Sequence, residues 1–288
     1  MRIVSGGVTD LGRVRTNNED CYKIVEPLHL FVLSDGMGGE AHGEVASAMA
    51  VETVVNHCTG MEANPAAEII GDFDPNWSAR TKRLSTAVHL ANKNIFKSAE
   101  GNPEQHGMGA TLTAVWIDGT NLSIAHVGDS RAYLLRGGSL MQLTRDHSLV
   151  AEQVRRGILT AAEAEESDMQ SVLLRALGAQ EEIEVDTEEH ALFPRDGLLL
   201  CSDGLTRMVT DPEIAGTLQA ETDPTKAAEK LIALANERGG PDNITVVIAR
   251  FEKESKGWFS WLRRGRRKNP DPNGSVGGNR DAEAQPHV

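Results

Sequence analysis

The sequence predicts a protein of the α+β class, with strands in the middle of a large body and helices outside them. Short apolar runs bounded by Gly, Asp and Asn recur through the central part of the chain, and this pattern is typical of antiparallel strands. Three longer segments instead repeat apolar residues at helical spacing, and they flank the strand region. Of the 288 residues, 40% are hydrophobic but only 4% are aromatic, so the core must consist mainly of Leu, Val, Ile and Ala.

The N-terminal part of the chain combines two predicted strands with two predicted helices. The apolar runs at residues 3–8 and 28–34 predict the strands. Residues 44–57 follow the small-residue turn DGMGGEAHG and carry apolar side chains at helical spacing. Residues 80–98 predict the second helix, because one helical face would collect Leu84, Ala87, Val88, Ala91 and Ile95. We expect both helices to cover one sheet.

Three short apolar runs in the centre of the chain predict an antiparallel meander. They occupy residues 112–117, 122–127 and 131–136, and the sequences DG and GDS separate them. A Gly-Gly pair then turns the third run into a fourth predicted strand at residues 139–143.

The pattern changes after the fourth of these strands. Residues 145–180 are polar, rich in Glu and inclined to helix, so they are predicted to be an insertion in the body. Strands are predicted to return at residues 183–185 and 198–201. An amphipathic helix at residues 225–238 and a last strand at residues 244–251 complete the body.

Residues 253–288 differ in composition from the rest of the chain. They hold eight basic and four acidic side chains, whereas residues 1–252 hold 21 basic and 38 acidic ones. The part after about residue 268 is rich in Pro, Gly and Asn and is predicted to be disordered. Two interpretations of this tail stay open: docking on an anionic membrane surface or a partner protein, or a frayed terminus without a role. The first rests on a mixture of aromatic and basic residues: Trp258, Phe259, Trp261, Arg263, Arg264, Arg266 and Arg267.

The charge and the cysteine content exclude several classes of protein. The formal net charge is −13, and such an acidic body is a poor general binder of nucleic acid but a reasonable host for metal ions. No run approaches the ~18 apolar residues of a membrane span, and we expect no secretory signal. The three cysteines, Cys21, Cys58 and Cys201, are widely spaced, which argues against a disulfide framework and favours a reducing cytoplasm.

Four aspartates stand at the ends of apolar runs. Asp35, Asp129 and Asp203 each close a run, and Asp242 precedes the last one. A carboxylate at the end of a buried strand is costly unless a positive charge neutralises it, and several carboxylates at one sheet edge repel each other. A pair of divalent cations would neutralise them together. Because oxygen ligands without a Cys or His cluster favour hard ions, the sequence predicts a Mg²⁺ or Mn²⁺ site.

Six motifs occur in an order that resembles a known family. They are RTNNED at 15–20, DGMGG at 35–39, GMGATLTA at 107–114, VGDSRAY at 127–133, CSDGL at 201–205 and GGPDNITVV at 239–247. Over roughly residues 1–252 the chain resembles the bacterial form of the metal-dependent protein phosphatases of the 2C type. The resemblance implies a four-layer α-β-β-α sandwich, in which two central antiparallel sheets are flanked by helices. It also implies one catalytic domain at residues 1–252, with residues 145–180 as a flap-like insertion beside the site; a solvated helical hairpin is the alternative for the insertion.

The same resemblance implies a set of ligands for two ions. Asp35 and the backbone carbonyl of Gly36 would serve one ion, while Asp35, Asp203 and Asp242 would serve the other. Asp35 would therefore bridge the two ions. A residue without Cβ at position 36 lets the main chain approach a metal, although an ordinary turn glycine is the alternative.

Further residues match supporting positions of the family site. Asp129 would help bind a third, weaker ion together with Asp203, unless it only caps a hairpin turn. Glu19 and Asp20 would support the metal site directly or through bound water. Arg15 is the candidate phosphate clamp, since a guanidinium offers a planar fork of donors to phosphate oxygens; a solvated surface arginine is the alternative.

The implied activity is hydrolysis of phosphoserine and phosphothreonine in proteins, opposing a bacterial protein kinase. A water that bridges the two ions would attack directly. Cys201 and Arg207 have Cys-x5-Arg spacing, but Cys201 lies inside an apolar run and is interpreted as a small buried hydrophobe, which argues against a covalent phosphoenzyme. Eukaryotic members carry His directly after the Asp-Gly pair, where this chain has Met37, so a metal-bound water is the simplest proton donor. His42, His126 and His147 are alternatives, but a lone histidine is more often structural.

Two other functions are compatible with the fold. A catalytically silent regulatory binding module would have lost one or more of the aspartates or the arginine, and none of them is missing here. A phosphatase of small molecules would need a deeper pocket. As partners of the leading candidate we expect phosphorylated proteins, including a serine/threonine kinase, but no nucleic acid. We also expect a cytoplasmic monomer.

Overall fold

The computed structural model of the chain describes residues 1–38, 42–63, 69 and 73–252. The predictions made for residues 253–288, a basic and aromatic stretch followed by disorder, lie outside this range. The described residues belong to one compact unit. No helix among them is long and apolar enough to cross a bilayer.

The strands form two antiparallel sheets. In chain order they are β1 (Arg2–Asp10), β2 (Asp20–Val25), β3 (Leu30–Met37), β4 (Gly109–Ala110), β5 (Leu112–Asp118), β6 (Asn121–Val127), β7 (Arg131–Arg136), β8 (Ser139–Gln142), β9 (Asp186–Ala191), β10 (Gly197–Cys201) and β11 (Ile244–Glu252). The first sheet has the order β1-β11-β10-β7-β8. The second has the order β2-β3-β5-β6-β9, and β4 pairs with β3.

The helices lie on the outer faces and in the insertion. They are α1 (Gly43–Ala63), α2 (Ala79–Gly101), α3 (Leu149–Arg155), α4 (Ala161–Glu165), α5 (Asp203–Thr206), α6 (Asp211–Ala220) and α7 (Pro224–Glu237). Side-chain caps satisfy backbone N–H groups at the beginning of α2 and α7: Ser78 accepts from Thr81, and Asp223 accepts from Thr225.

Three apolar clusters fill the spaces between four layers. Along β3, Leu30 and Val32 pack with α1 and α2, whereas Phe31 and Leu33 pack against the first sheet. This division follows from the strand geometry, in which successive side chains point to opposite faces. On the far side of the first sheet, Leu199 packs with residues of α6 and α7. The four-layer α-β-β-α sandwich is therefore confirmed.

The predicted meander is wrong at its third strand. β5 pairs with β6, but β7 lies in the first sheet between β10 and β8, and it pairs with β8 as predicted. The chain crosses between the sheets just after Gly128, which has a φ of +108°. Ala132 and Leu134 of β7 face the other sheet, while Tyr133 and Leu135 face the helices. Both faces of β7 carry apolar side chains, and such a strand would fit inside either sheet. Its sequence pattern therefore did not reveal which sheet it joins.

Several elements differ from the sequence prediction near their ends or in kind. The predicted strand at residues 183–185 is wrong: Ile183 and Val185 pack against the helix-side cluster, and strand β9 begins only at Asp186. β9 has the polar sequence DTEEHA and pairs with β6 alone, so it is an edge strand without the apolar alternation that would identify it. β2 and α6 were not predicted from the sequence.

Candidate active site

One cavity of about 200 Å³ collects acidic and basic side chains from distant parts of the chain. β10 ends at Cys201 and β11 begins at Ile244, and the two strands are antiparallel neighbours. Residues that follow β10 therefore lie beside residues that precede β11, which brings Asp203 near Asp242. Among the described residues, the cavity is lined by Arg15, Glu19, Asp35, Gly36, Met37, Gly38, Thr111, Asp129, Ser171, Leu173, Asp203, Arg207 and Asp242.

Asp35 is held through its backbone. Its N–H donates to Oγ1 of Thr111 at 2.9 Å, and its carbonyl oxygen accepts the N–H of Thr111 at 2.8 Å. The next residue, Gly36, packs against the start of α1: a Cβ there would lie 2.1 Å from the carbonyl oxygen of Gly43 and 2.8 Å from that of Glu19. Position 36 therefore has no space for a side chain. An ordinary turn glycine is required only for its backbone conformation, whereas Gly36 is also required by this close packing.

Asp20 is buried next to the cavity and is the one predicted site residue that does not line it. Its Oδ2 accepts hydrogen bonds from Oγ of Ser202 at 2.7 Å and from Oγ1 of Thr245 at 2.6 Å. Burial raises the pKa of Asp20 to about 7, although these two hydrogen bonds work in the opposite direction. Glu19 does line the cavity, and burial raises its pKa as well.

Asp129 lies in the turn by which the chain crosses between the sheets. Burial, followed by the charge of Asp203, raises the pKa of Asp129 to about 8. The neighbouring Ser130 forms a hydrogen bond of 2.8 Å with Oγ1 of Thr111. Because Thr111 also holds the backbone of Asp35, one threonine fixes the relative position of two acidic residues.

Two arginines meet the acidic residues. Nη2 of Arg15 donates to Oδ2 of Asp242 at 2.9 Å, and the Arg15 side chain is 49% exposed. Burial acts to lower the pKa of Arg15, but the hydrogen bond and the charge of Asp242 raise it overall. The guanidinium of Arg207 forms an ion pair with Asp203, and its Nη1 lies 3.7 Å from Oδ2 of Asp242. Arg15 was predicted from the sequence as a site residue, whereas Arg207 was not.

The acidic residues have the chemistry of a site for a hard divalent cation. Burial and the neighbouring carboxylates raise the pKa of Asp35 well above its usual range. Asp20 and Asp203 each keep a buried Oδ1 atom without a hydrogen-bond partner. Carboxylates in this condition fit a cation that neutralises them. Among the described residues, no group of three or more Asp, Glu, His or Cys side chains is already arranged to coordinate a metal ion.

Asn243 organises the loop that carries Arg15 and Glu19, a role that the sequence analysis missed. Its Nδ2 donates to the carbonyl oxygens of Leu11 at 3.0 Å and Asn17 at 2.9 Å, and its Oδ1 accepts the N–H of Glu19 at 2.9 Å. These partners are 224 to 232 residues away in the chain. The only signal for this role was the place of Asn243 in the motif GGPDNITVV.

The three histidines considered as proton donors do not line the cavity. His126 and His147 are buried, with ring centroids 4.8 Å apart. His126 is hydrogen-bonded to Oγ1 of Thr113 at 2.9 Å and to the carbonyl oxygen of Arg145 at 3.0 Å. Met37, which follows the Asp-Gly pair, does line the cavity.

The insertion at residues 145–180 lies beside the cavity. It contains the short helices α3 and α4, and it contributes Ser171 and Leu173 to the lining. One bridge of β type, between Leu177 and Ala110, attaches it to its surroundings, and a second, between Ser148 and Leu173, lies within the insertion. Its role as a mobile flap stays a prediction.

Comparison with known proteins identifies the family. The family model described as Protein phosphatase 2C matches residues 13–236. The chain belongs to the protein phosphatase 2C family. Relatives of this phosphatase include the serine/threonine phosphatase stp of Listeria welshimeri, which is 39% identical over 252 residues, 86% of this chain and 96% of the relative. The serine/threonine protein phosphatase PstP of Mycobacterium tuberculosis is 39% identical over 241 residues, which cover 84% of this chain but 43% of PstP.

Solved structures agree with this membership. The catalytic domain of PstP in complex with two manganese ions superposes on the phosphatase with a TM-score of 0.74 at 36% identity, covering 87% of this chain and 99% of that one. The family predicted from the six motifs is therefore confirmed.

Proposed function

We propose that this protein is a serine/threonine protein phosphatase that depends on Mn²⁺ or Mg²⁺. One observation carries the proposal: Asp35, Asp129, Asp203 and Asp242 share one cavity with Arg15, although they come from four separate parts of the chain. The names of the relatives stp and PstP, and the two manganese ions in the PstP complex, support the same activity and cofactor.

The residues of the chain divide the work of phosphate-ester hydrolysis. Asp35, Gly36, Asp203 and Asp242 would hold the two cations, with Asp20 and Glu19 in support and Asp129 available for a third. When bound, such a pair of ions lowers the pKa of water and compensates charge on phosphoryl oxygens. Arg15 would orient the phosphate group, since its guanidinium is half exposed at the cavity.

Direct attack by water is the mechanism that suits this cavity. Among the described residues that line it, none is Cys or His. Two hydroxyl side chains of the described residues line it: that of Thr111 is already committed to hydrogen bonds with Asp35 and Ser130, and that of Ser171 has no histidine in the lining to activate it. We therefore propose a single displacement at phosphorus, without a covalent phosphoenzyme.

The biological setting proposed for the protein follows from this activity. Its substrates would be phosphorylated proteins, and it would oppose a protein kinase in the bacterial cytoplasm as a monomer. The tail at residues 253–288 would add contact with an anionic membrane surface. Co-sedimentation of the full chain and of a 1–252 truncation with phosphatidylserine liposomes tests this, because equal sedimentation of the two would rule out the tail as an anchor.

The experiment that tests the activity measures phosphate release from a phosphothreonine peptide with Mn²⁺ and with EDTA. Asp203→Asn keeps the shape of the side chain but removes a ligand charge, so we expect it to abolish release while the circular dichroism spectrum is unchanged. Asp118→Asn is the matched control, since the Asp118 carboxylate is 67% exposed and outside the cavity. Undiminished release by Asp203→Asn, or no release by the unmodified protein, would contradict the proposal. Comparison with a sugar phosphate separates a protein phosphatase from a phosphatase of small molecules.

A further inference from the structure

Arg207 extends into the cavity from the end of a very short helix. Its N–H donates to the carbonyl oxygen of Asp203 at 2.9 Å, one turn earlier. Its guanidinium returns along that turn to form an ion pair with the Asp203 carboxylate, and Nη1 lies 3.7 Å from Oδ2 of Asp242. The Arg207 side chain is only 23% exposed. A fixed positive charge therefore stands where two of the proposed metal ligands approach each other.

The two arginines of the cavity are placed differently. Arg15 is 49% exposed and its ion pair is with Asp242. Arg207 reaches both Asp203 and Asp242 and is the more enclosed of the two. The charge of Arg207 also acts on Asp129, whose pKa it lowers against the larger effects of burial and of Asp203. Arg207 thus faces three of the four aspartates that end or precede strands.

We propose that Arg207 is a tethered counter-ion for Asp203 and Asp242, which a divalent cation must displace, so that Arg207 sets the cation concentration at which the site fills. The proposal rests on the metal dependence proposed above. Its physical basis is competition: a carboxylate oxygen paired with a guanidinium is not free to bind a cation, and the positive charge of Arg207 would repel a cation at these carboxylates. Asp203 can pass from the guanidinium to a cation, because its Oδ1 is buried without a hydrogen-bond partner while its Oδ2 is paired with Arg207.

Calorimetric titration of Mn²⁺ into the metal-stripped full-length protein tests the proposal. We expect Arg207→Ala to bind Mn²⁺ with a Kd at least about fivefold lower than the unmodified protein, which is the low end of typical coupling between two sites. Arg207→Gln removes the charge but keeps most of the side-chain length, and it serves if the alanine variant does not fold. Arg238→Ala is the matched control, since Arg238 also pairs with a carboxylate, that of Glu213, but outside the cavity. We expect its Mn²⁺ affinity to be unchanged.

A second measurement separates competition from a simple structural role. In EDTA, Arg207→Ala should unfold at a lower temperature than the unmodified protein, because Asp203, Asp242 and Asp129 lose a neighbouring positive charge. Saturating Mn²⁺ should then raise the unfolding temperature of Arg207→Ala more than that of the unmodified protein.

The outcomes are distinct. An unchanged or weaker Mn²⁺ affinity in both Arg207 variants would overturn the proposal, and so would an increase in KM for a phosphopeptide with unaltered Mn²⁺ binding, which would identify Arg207 as a phosphate ligand. If the unmodified protein binds no Mn²⁺ at all, the metal dependence fails together with this inference. If the unmodified protein binds Mn²⁺ and both Arg207 variants bind it with the same affinity as Arg238→Ala, the metal dependence stands and this inference alone is rejected.

Discussion

Arg15 offers the sharpest test of phosphate recognition at the scale of a single residue. A lysine in its place keeps the charge but loses the planar pair of donors that suits phosphate oxygens. We expect Arg15→Lys to lower kcat/KM for a phosphopeptide by about tenfold or more, which corresponds to losing about 1.5 to 3 kcal/mol of charged hydrogen bonding. Steady-state kinetics at saturating Mn²⁺ measures the change. Arg13→Lys is the control, because Arg13 does not line the cavity; equal effects of the two variants would contradict the role of Arg15.

His126 predicts how stability depends on acid pH. Burial, and then the neighbouring charge of His147, lower the pKa of His126 to about 4. The folded protein therefore favours the neutral ring, and its stabilising contribution is present above the unfolded pKa of about 6.5 and is lost as the pH falls toward 4. Over that window we expect the free energy of unfolding to decrease by about 3 kcal/mol through this residue.

Urea unfolding at several pH values isolates the effect of His126. His126→Gln removes the titration and keeps polar atoms for the partners Thr113 and Arg145. The difference in unfolding free energy between the two proteins should change with pH between about 6.5 and 4, whatever its absolute size. A constant difference would show that His126 does not titrate in this range.

Residues were predictable where the local sequence carries the signal. A charged residue at the end of an apolar run is unusual, and this marked Asp35, Asp203 and Asp242 without any structure. Asn243 and Arg207 carried no such mark, because polar residues in a loop are ordinary. Their roles depend on partners that only the folded chain supplies, as with the contact between Asn243 and Leu11 over 232 residues.

At the scale of elements, the sequence predicted the inner strands of the sheets better than the edge strands β2 and β9. The inner strands are buried on both faces and therefore appear as continuous apolar runs, as in β10. The edge strands β2 and β9 lack this pattern, and the first was missed while the second was placed three residues too early. The meander failed because pairing partners are decided by packing across sheets and not by the period of one strand.

The junction of β3 and α1 predicts that alanine is not tolerated at Gly36, although it is tolerated at Gly60 within α1. Gly36→Ala would place a Cβ 2.1 Å from the carbonyl oxygen of Gly43, so the helix start or the strand must move. We expect a loss of about 1 to 3 kcal/mol in the free energy of unfolding and a loss of phosphatase activity, since Asp35 is adjacent.

Gly60→Ala is the matched control in α1 itself. Nothing lies within 4 Å of a Cβ at that exposed helical position. The substitution should stabilise the protein by about 0.5 to 1 kcal/mol, because alanine favours helix, and it should leave activity unchanged. Urea unfolding and phosphate release measured on both variants check the pair; a tolerated alanine at position 36 would contradict the close approach of strand and helix.

At the scale of the whole molecule, the sandwich is an arrangement that composition alone did not determine. The local patterns predicted an α+β body, whereas the four layers were implied by the order of the six motifs. The reason is that the three apolar clusters are built by long-range pairing, such as that of β1 with β11 across nearly the whole described chain. That same pairing adds β1 to the edge of the first sheet and brings the loop of Arg15 to Asp242.

The gathered carboxylates make the stability of the whole molecule depend on pH and on cations in a specific direction. The pKa values of Asp35 and Asp203 are raised, and those of Asp20 and Asp129 reach about 7 and about 8. Because the folded state holds protons that the unfolded state releases near pH 4, stability in EDTA should fall as the pH rises from about 4 through about 8. Above about pH 6.5 the opposite contribution of His126 is already complete, so the fall should be visible there.

Asp35→Asn tests whether repulsion among the carboxylates destabilises the fold, since Asp35 faces several of the other carboxylates. In EDTA at about pH 8, we expect the variant to be more stable than the unmodified protein by about 1 kcal/mol or more, which is the equivalent of one pKa unit. Saturating Mn²⁺ should reverse the order, because the cation stabilises the unmodified carboxylates and the variant lacks the proposed bridging ligand. Thermal unfolding in the two media measures both effects. A variant that is less stable than the unmodified protein in EDTA would mean that the acidic cavity is not under electrostatic strain, and that the fold does not depend on a cation to neutralise it.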